Sequence, residues 1–164
     1  MTEPELNKRV AIIGAGLIGC SWAALFMKHR WDVTIWDRNP DVYENVSDTV
    51  TRALADLDNL YDPKSKTGSF TLCDELHVAV LDVAYVQENV AENLNVKQAL
   101  FAELDKHVDP RVPIASSTTA YTWSDLFSGS LHQDRFLIAH PFNPPHLIPL
   151  VELSGQNDPV LRQA

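Results

Sequence analysis

The chain has 164 residues, 45% of them hydrophobic and 21% charged, and a net charge of −9, the balance of a soluble globular domain with one good core. The acidic balance excludes the clustered Lys and Arg that a nucleic-acid backbone demands and argues against an anionic membrane as partner. Cys20 and Cys73 lie far apart with no C-x-x-C pair, which leaves no metal knuckle or redox pair and marks both as small buried hydrophobes.

The opening MTEPELNKR lacks the apolar stretch of a signal peptide, and the first apolar run is too short to cross a bilayer, so a reducing, cytoplasmic setting is expected. Val10 to Ile13 is a short β-branched run of the kind buried in a parallel sheet. Gly14, Gly16 and Gly19 follow in G-x-G-x-x-G spacing. In that pattern the first glycine allows a sharp turn, the second lets a pyrophosphate approach, and the third lets the following helix pack on the strand. The helix should begin near Leu17 and Ile18, with its free N–H groups and positive dipole end facing the phosphates. Asp32 to Asp37 reads as the next strand, and its closing carboxylate stands 37 − 19 = 18 residues after the third glycine. A carboxylate there accepts both hydroxyls of an adenosine ribose and repels a 2′-phosphate. Arg38 beside it is able to hold such a phosphate, but Asp37 makes NAD the expected cofactor rather than NADP.

Val42, Val46, Val50, Leu54 and Leu57 mark one face of a helix over Asp41 to Leu60, with Asn39 as cap and Pro40 in its first turn. DPKSKTG, from Asp62 to Gly68, is a turn or short linker. Ser69 to Leu72 is then a short strand, followed by a brief helix from Asp74 or Glu75 to Leu81 and a buried strand from Val83 to Glu88. A helix from Asn93 to His107 offers Leu94, Ala99, Leu100, Phe101 and Leu104 to the core. Pro113 to Ser116 begins a strand that runs into the hydroxyl cluster Ser116 to Thr119. A short helix over Thr122 to Ser128 is capped by Thr122 or Ser124, and Phe136 to His140 and Leu150 to Leu153 are strands. Alternating strands and helices predict an α/β Rossmann-type doubly wound, mostly parallel sheet with helices on both faces. Asn157-Asp158-Pro159 resembles a helix start with too few residues after it; the expectation is that the chain is the front part of a longer protein.

Ligands of open α/β sheets sit beyond the carboxyl ends of the strands, which brings Ser116 to Thr119 and His140 beside the nicotinamide end. Oxidising an alcohol with NAD requires removal of the hydroxyl proton, and histidine, with an ordinary pKa near about 6.5, suits that role. Glu152 is the candidate that orients His140, and the four prolines of PFNPPHLIP between them restrict that loop.

AHPFNPPHLIPLVEL, ENVAENLNVK and the glycine motif together resemble the NAD-binding domain of the 3-hydroxyacyl-CoA dehydrogenase family. The likeness is greatest to its lambda-crystallin branch, which includes L-gulonate 3-dehydrogenase, with L-carnitine dehydrogenase nearby. The resemblance implies that His140 and Glu152 are the catalytic pair, and that Glu92, Lys97 and Asn143 contact the cofactor. It also implies that Thr119, where the family has Ser, places the substrate oxygen. The family carries a further helical domain that supplies an active-site Asn, much of the substrate pocket and the interface of a homodimer.

Without that resemblance each residue has a plainer reading: a strand-end histidine at position 140, a solvated helix start for Glu92 and Lys97, a turn residue at Asn143 and a strand-end hydroxyl at Thr119. His29, His77, His107, His132 and His146 show no metal-ligand spacing, so no metal is expected. His146, inside the loop, is open to substrate contact or to packing. The four tryptophans read as packing residues.

The implied activity is NAD-dependent oxidation of the 3-hydroxyl of a hydroxy acid or hydroxyacyl-CoA. Family members acting on CoA thioesters carry a longer basic excursion where this chain has Asp41 to Gly68 with Lys64 and Lys66, which favours a small free acid such as L-gulonate. The alternatives are a crystallin-like structural protein that retains NAD binding and an NAD-binding module without activity.

Overall fold

The computed structural model describes residues 8–61 and 65–157. The helix start expected at Asp158 and Pro159, and Asp62 to Lys64 of the linker, lie outside the described residues. Along the chain run β1 (Arg9–Ile13), α1 (Leu17–Lys28), β2 (Asp32–Trp36), α2 (Tyr43–Asp58), β3 (Phe70–Leu72), α3 (Leu76–Ala79) and β4 (Tyr85–Glu88). Then follow α4 (Leu94–His107), β5 (Ile114–Ser116), α5 (Trp123–Phe127), β6 (Phe136–Pro141) and β7 (Val151–Gly155). The strands form one sheet in the order β3-β2-β1-β4-β5-β6-β7. All neighbours pair in parallel except β6 and β7, which are antiparallel. The order reverses between β1 and β4, and ligands of this sheet type bind at that crevice.

β1 is buried from Val10 to Ile13 and faces two cores. Val10 and Ile12 point to a cluster under α1 and α2 with Val33, Ile35, Val46, Val50 and Leu57. Ala11 and Ile13 point to the other cluster, with Leu100, Phe101, Leu104, Phe127 and Phe136. A strand covered on both faces has no polar side, so its sequence is continuously apolar rather than alternating. Each such Ile, Leu or Phe, fully withdrawn from water, contributes roughly 1.5–3 kcal/mol.

Several expected boundaries shift for local reasons. Asn39 caps not α2 but a 3₁₀ turn at Pro40–Val42, where its side chain accepts from the Asp41 N–H at 3.1 Å. α2 therefore starts at Tyr43, and its buried face is Val46, Val50, Ala53 and Leu57. The brief helix before β4 contracts to four residues. In α4, Ala99 is exposed, and Lys97 joins Leu100, Phe101 and Leu104 on the buried side. Thr122 rather than Ser124 caps α5, in a reciprocal capping box with Asp125. β7 runs back along β6 because a short loop, without a crossover helix, joins them.

Candidate active site

The glycine turn has three distinct geometries. Gly14 has φ +100°, and a Cβ there would meet the Asn89 carbonyl carbon at 2.7 Å, so the chain reverses beside the loop after β4 where no side chain fits. At Gly19 a Cβ would fall 1.9 Å from the Gly14 carbonyl oxygen; its absence is what lets α1 lie against β1. A Cβ at exposed Gly16 would meet nothing within 4 Å, so the backbone there is open to a ligand. α1 has no side-chain cap and no acidic residue in its first turn. Its N–H groups, at Leu17 and Ile18 among others, are thus left for an anion, as a dinucleotide phosphate site requires.

Asp37, at the end of β2, accepts the Ala15 N–H at 2.8 Å through one carboxylate oxygen and the Asn39 N–H at 2.9 Å through the other. The Tyr43 hydroxyl accepts the Asp37 N–H at 3.0 Å and donates to the Cys73 carbonyl at 2.8 Å. The carboxylate is therefore fixed against the glycine turn, with lone pairs left for two ribose hydroxyls. It lines a cleft of about 350 Å³ with Gly16, Arg38, Asn39 and Val90. Buried Cys20 lies beneath the turn and donates to the Ala15 carbonyl at 3.3 Å; burial, with the nearby Asp37 charge, pushes its thiol up to about 11.

A second cleft, of about 290 Å³, lies farther along the strand ends and is lined by Ile18, Glu92, Lys97, Thr119, His140 and Asn143 among others. Its floor is an ion cluster. Lys97, 1% exposed, donates to Glu88 at 2.7 Å and to the Val90 carbonyl at 3.1 Å, and stands 3.5 Å from Glu92. All three ammonium protons thus face protein acceptors, so Lys97 is the reverse of a solvated helix-start residue. Burial pushes the Glu88 carboxyl up, opposed by Lys97 and by hydrogen bonds from Ser116 and the Val90 N–H. Burial also acts to raise Glu92, but hydrogen bonds from the Thr119 N–H and Thr118, with the Lys97 charge, outweigh it and hold that carboxyl below the usual range.

The hydroxyl cluster divides its work. Ser116 donates to Glu88 at 2.5 Å. Ser117 donates to Asn89 and accepts from Gln87, both at 2.8 Å. Thr118 donates to Glu92 at 3.0 Å. Thr119, the exposed member, has only a long hydroxyl contact with Glu92, at 3.4 Å, and its hydroxyl is the one left for a ligand.

His140 and Glu152 are direct cross-strand partners on β6 and β7, the closest approach two strand residues make. His140 Nδ1 lies 2.9 Å from Glu152 Oε2. Because a carboxylate only accepts, the Nδ1 proton points to Glu152, and the ring lines the cleft. Asn143 is exposed in the loop that follows and lines the same cleft. The structure thus gathers His140, Glu92, Lys97, Thr119 and Asn143 around one cavity, with Glu152 behind the histidine. Asp37 and Gly16 border the neighbouring cavity, and Asn89 and Val90 line both.

Sequence reasoning placed Glu88 and Ser116 at the strand ends but gave neither a role, and missed their bonds to Lys97 and to each other. The signal was a carboxylate closing a buried strand nine residues before a lysine on the next helix, 97 − 88 = 9. His146 does not line the cleft; it lies against α1 and α2. Among the described residues no cluster of His, Cys, Asp or Glu suits a metal ion, and no helix is long and apolar enough to cross a membrane.

The family model described as 3-hydroxyacyl-CoA dehydrogenase, NAD binding domain, matches residues 9–159. An L-carnitine dehydrogenase of Streptomyces coelicolor is 42% identical over 156 residues, covering 94% of this chain and 49% of that protein. Lambda-crystallin of Oryctolagus cuniculus is 37% identical over 150 residues, covering 88% of this chain and 47% of its own. Among solved structures, an NAD+-dependent dismutase named 5-formyl-3-hydroxy-2-methylpyridine 4-carboxylic acid 5-dehydrogenase matches with a TM-score of 0.87 at 25% identity, over 96% of this chain and 53% of that one. The chain spans about half the length of these relatives. With the glycine turn, the uncapped helix and Asp37 in place, the chain belongs to the 3-hydroxyacyl-CoA dehydrogenase family and carries its NAD-binding domain.

Proposed function

We propose that this chain is the NAD-binding half of a dehydrogenase that oxidises the 3-hydroxyl of a small free hydroxy acid. The observation that carries the reading is the His140–Glu152 pair, 2.9 Å apart and opening on the cleft that Thr119 and Asn143 also line. Gly14, Gly16, Gly19, the N–H groups of Leu17 and Ile18, and Asp37 hold the phosphates and adenosine ribose. Glu92, Lys97 and Asn143 shape the nicotinamide end. Bound NAD supplies the acceptor for the hydride that leaves the alcohol carbon.

The protein's own part is proton movement and placement. His140 Nε2 takes the hydroxyl proton as the carbonyl forms. Glu152 accepts from Nδ1–H, fixing the tautomer and stabilising the imidazolium. The Thr119 hydroxyl donates to the substrate oxygen, and its added methyl narrows the cleft relative to Ser.

The preference for a free acid is supported by the excursion between β2 and β3, whose described part is a 3₁₀ turn and a single helix, and by relatives named as L-carnitine dehydrogenases. We place the rest of the substrate pocket, and the contacts of a homodimer, in a further domain of the length that the relatives have beyond this match. A cytoplasmic setting is part of the same proposal. Initial rates of NADH formation with L-gulonate, L-carnitine and 3-hydroxybutyryl-CoA test the substrate. Saturable oxidation of a free acid is expected; oxidation of the thioester alone overturns the preference.

The lambda-crystallin relative favours a second reading, a structural protein that retains NAD binding. NAD binding without turnover of any hydroxy acid, in a protein abundant in its tissue, is the result that selects it.

A further inference from the structure

The loop between His140 and Glu152 is folded on itself. The Phe142 N–H donates to the Leu150 carbonyl at 3.1 Å, and the Leu147 and Ile148 N–H groups donate to the Pro144 carbonyl at 3.0 and 3.1 Å. Among the described residues its hydrogen bonds to the helices all come from His146. The His146 ring meets the Ser21 hydroxyl through Nδ1, and its backbone N–H donates to the same oxygen at 3.3 Å. Nε2 lies 3.3 Å from Asp56 Oδ2. Asp56 only accepts, so the Nε2 proton points to it and Nδ1 accepts from Ser21. Both ring nitrogens are thus occupied by protein, and the side chain is 10% exposed.

Ser21 stands one turn after Leu17 on α1, the helix whose first turn faces the phosphates, and Asp56 stands near the end of α2. One side chain therefore connects the loop bearing Asn143, and with it the ends of β6 and β7, to the helix that receives the cofactor. We propose that His146 is a positioning residue: a clamp that sets the catalytic loop relative to α1 and so aligns His140 and Asn143 with the bound dinucleotide. The inference rests on the dehydrogenase reading for its kinetic consequence, though not for its structural one.

A self-folded loop whose hydrogen bonds to the helices come from one side chain shifts when that side chain is removed, and a misplacement of about 1 Å at the reacting groups costs up to about 10²-fold in rate. The adenosine end, held by Asp37 and the glycine turn, does not depend on the clamp.

The test compares the full chain with His146→Ala, His146→Gln and Asp56→Ala. It uses calorimetric titration with NAD, kinetics with the hydroxy acid that is turned over, and the imidazole NMR signals of His140. His146→Ala should lower kcat about tenfold or more and shift the His140 signals, with KM for the acid and Kd for NAD moving less than about threefold. His146→Gln, which keeps a polar atom near Ser21, should recover part of the loss, and Asp56→Ala should give a smaller loss of the same kind. A raised acid KM with unchanged kcat would make His146 a substrate contact and overturn the proposal. Unmoved His140 signals with unchanged kcat also overturn it. Should His146→Ala fail to fold, the other two variants decide, since the Asp56 side chain is largely exposed. If the unaltered protein, assayed together with the further domain proposed above, oxidises no hydroxy acid, the dehydrogenase reading falls by itself and the His140 signals alone decide the clamp.

Discussion

In the proposed reaction the chemistry at His140 depends on which nitrogen holds the proton, and Glu152 faces Nδ1 from the opposite strand. Glu152→Gln presents either an amide donor or an amide oxygen to Nδ1, so the imidazolium loses its counter-charge. A kcat loss of at least about 10²-fold is expected, with the calorimetric NAD affinity within about twofold, because Glu152 lies away from the glycine turn. At Asp37 the expectation reverses. Asp37→Ala removes the ribose acceptor, weakens NAD about tenfold and narrows the preference over NADP, as paired titrations with the two cofactors will show. The position of Asp37, just past β2 and against the glycine turn, was legible from the glycine spacing. The burial of Lys97 was not: the resemblance implied a cofactor contact and the local residues a solvated helix start, and only the fold reveals that Glu88, Val90 and Glu92 enclose its ammonium. A buried ion partner lies far in sequence from any pattern that periodicity detects.

The turn between β1 and α1 separates folding from binding within six residues, Gly14 to Gly19. Gly19→Ala places a methyl against the Gly14 carbonyl, a backbone atom with nowhere to go. A loss of about 3 kcal/mol in stability is expected, read from the urea midpoint. Gly16→Ala points into open space and should cost less than about 1 kcal/mol in the same assay, while weakening NAD about tenfold because the methyl occupies the pyrophosphate's approach. Element order and both core faces of the first βαβ unit were readable from apolar periodicity and the glycine spacing. The start of α2 was not, because Asn39-Pro40 caps a 3₁₀ turn as well as it caps an α-helix. Nor was the reversed direction of β7, since alternation alone gives a strand no direction.

At the scale of the whole molecule, a buried charge network ties α4 to the turn that leads into β6. Arg135, 3% exposed, lies 2.6 Å from Asp105, which also accepts N–H bonds from Leu131 and His132. Asp105→Asn leaves that guanidinium without its counter-charge and should destabilise by about 3–5 kcal/mol. Burial acts to raise the Asp105 carboxyl, but Arg135 and the two N–H groups outweigh it and hold it below the usual range. A lowered folded pKa means that its stabilisation is complete above the unfolded value near about pH 4 and is lost as pH falls through the lower folded one. Urea midpoints of the unaltered protein should therefore drop below that pH, and those of Asp105→Asn should drop less.

The same sheet brings the NAD cradle and the proposed proton acceptor, His140, to neighbouring clefts at its strand ends, and their cooperation is what the proposed reaction requires. NADH formation from a free 3-hydroxy acid, followed in the unaltered protein and in His140→Gln side by side, tests it most directly. The account predicts saturable turnover that falls by about 10²–10⁴-fold in the variant while NAD still binds; turnover that survives the loss of His140 would contradict it.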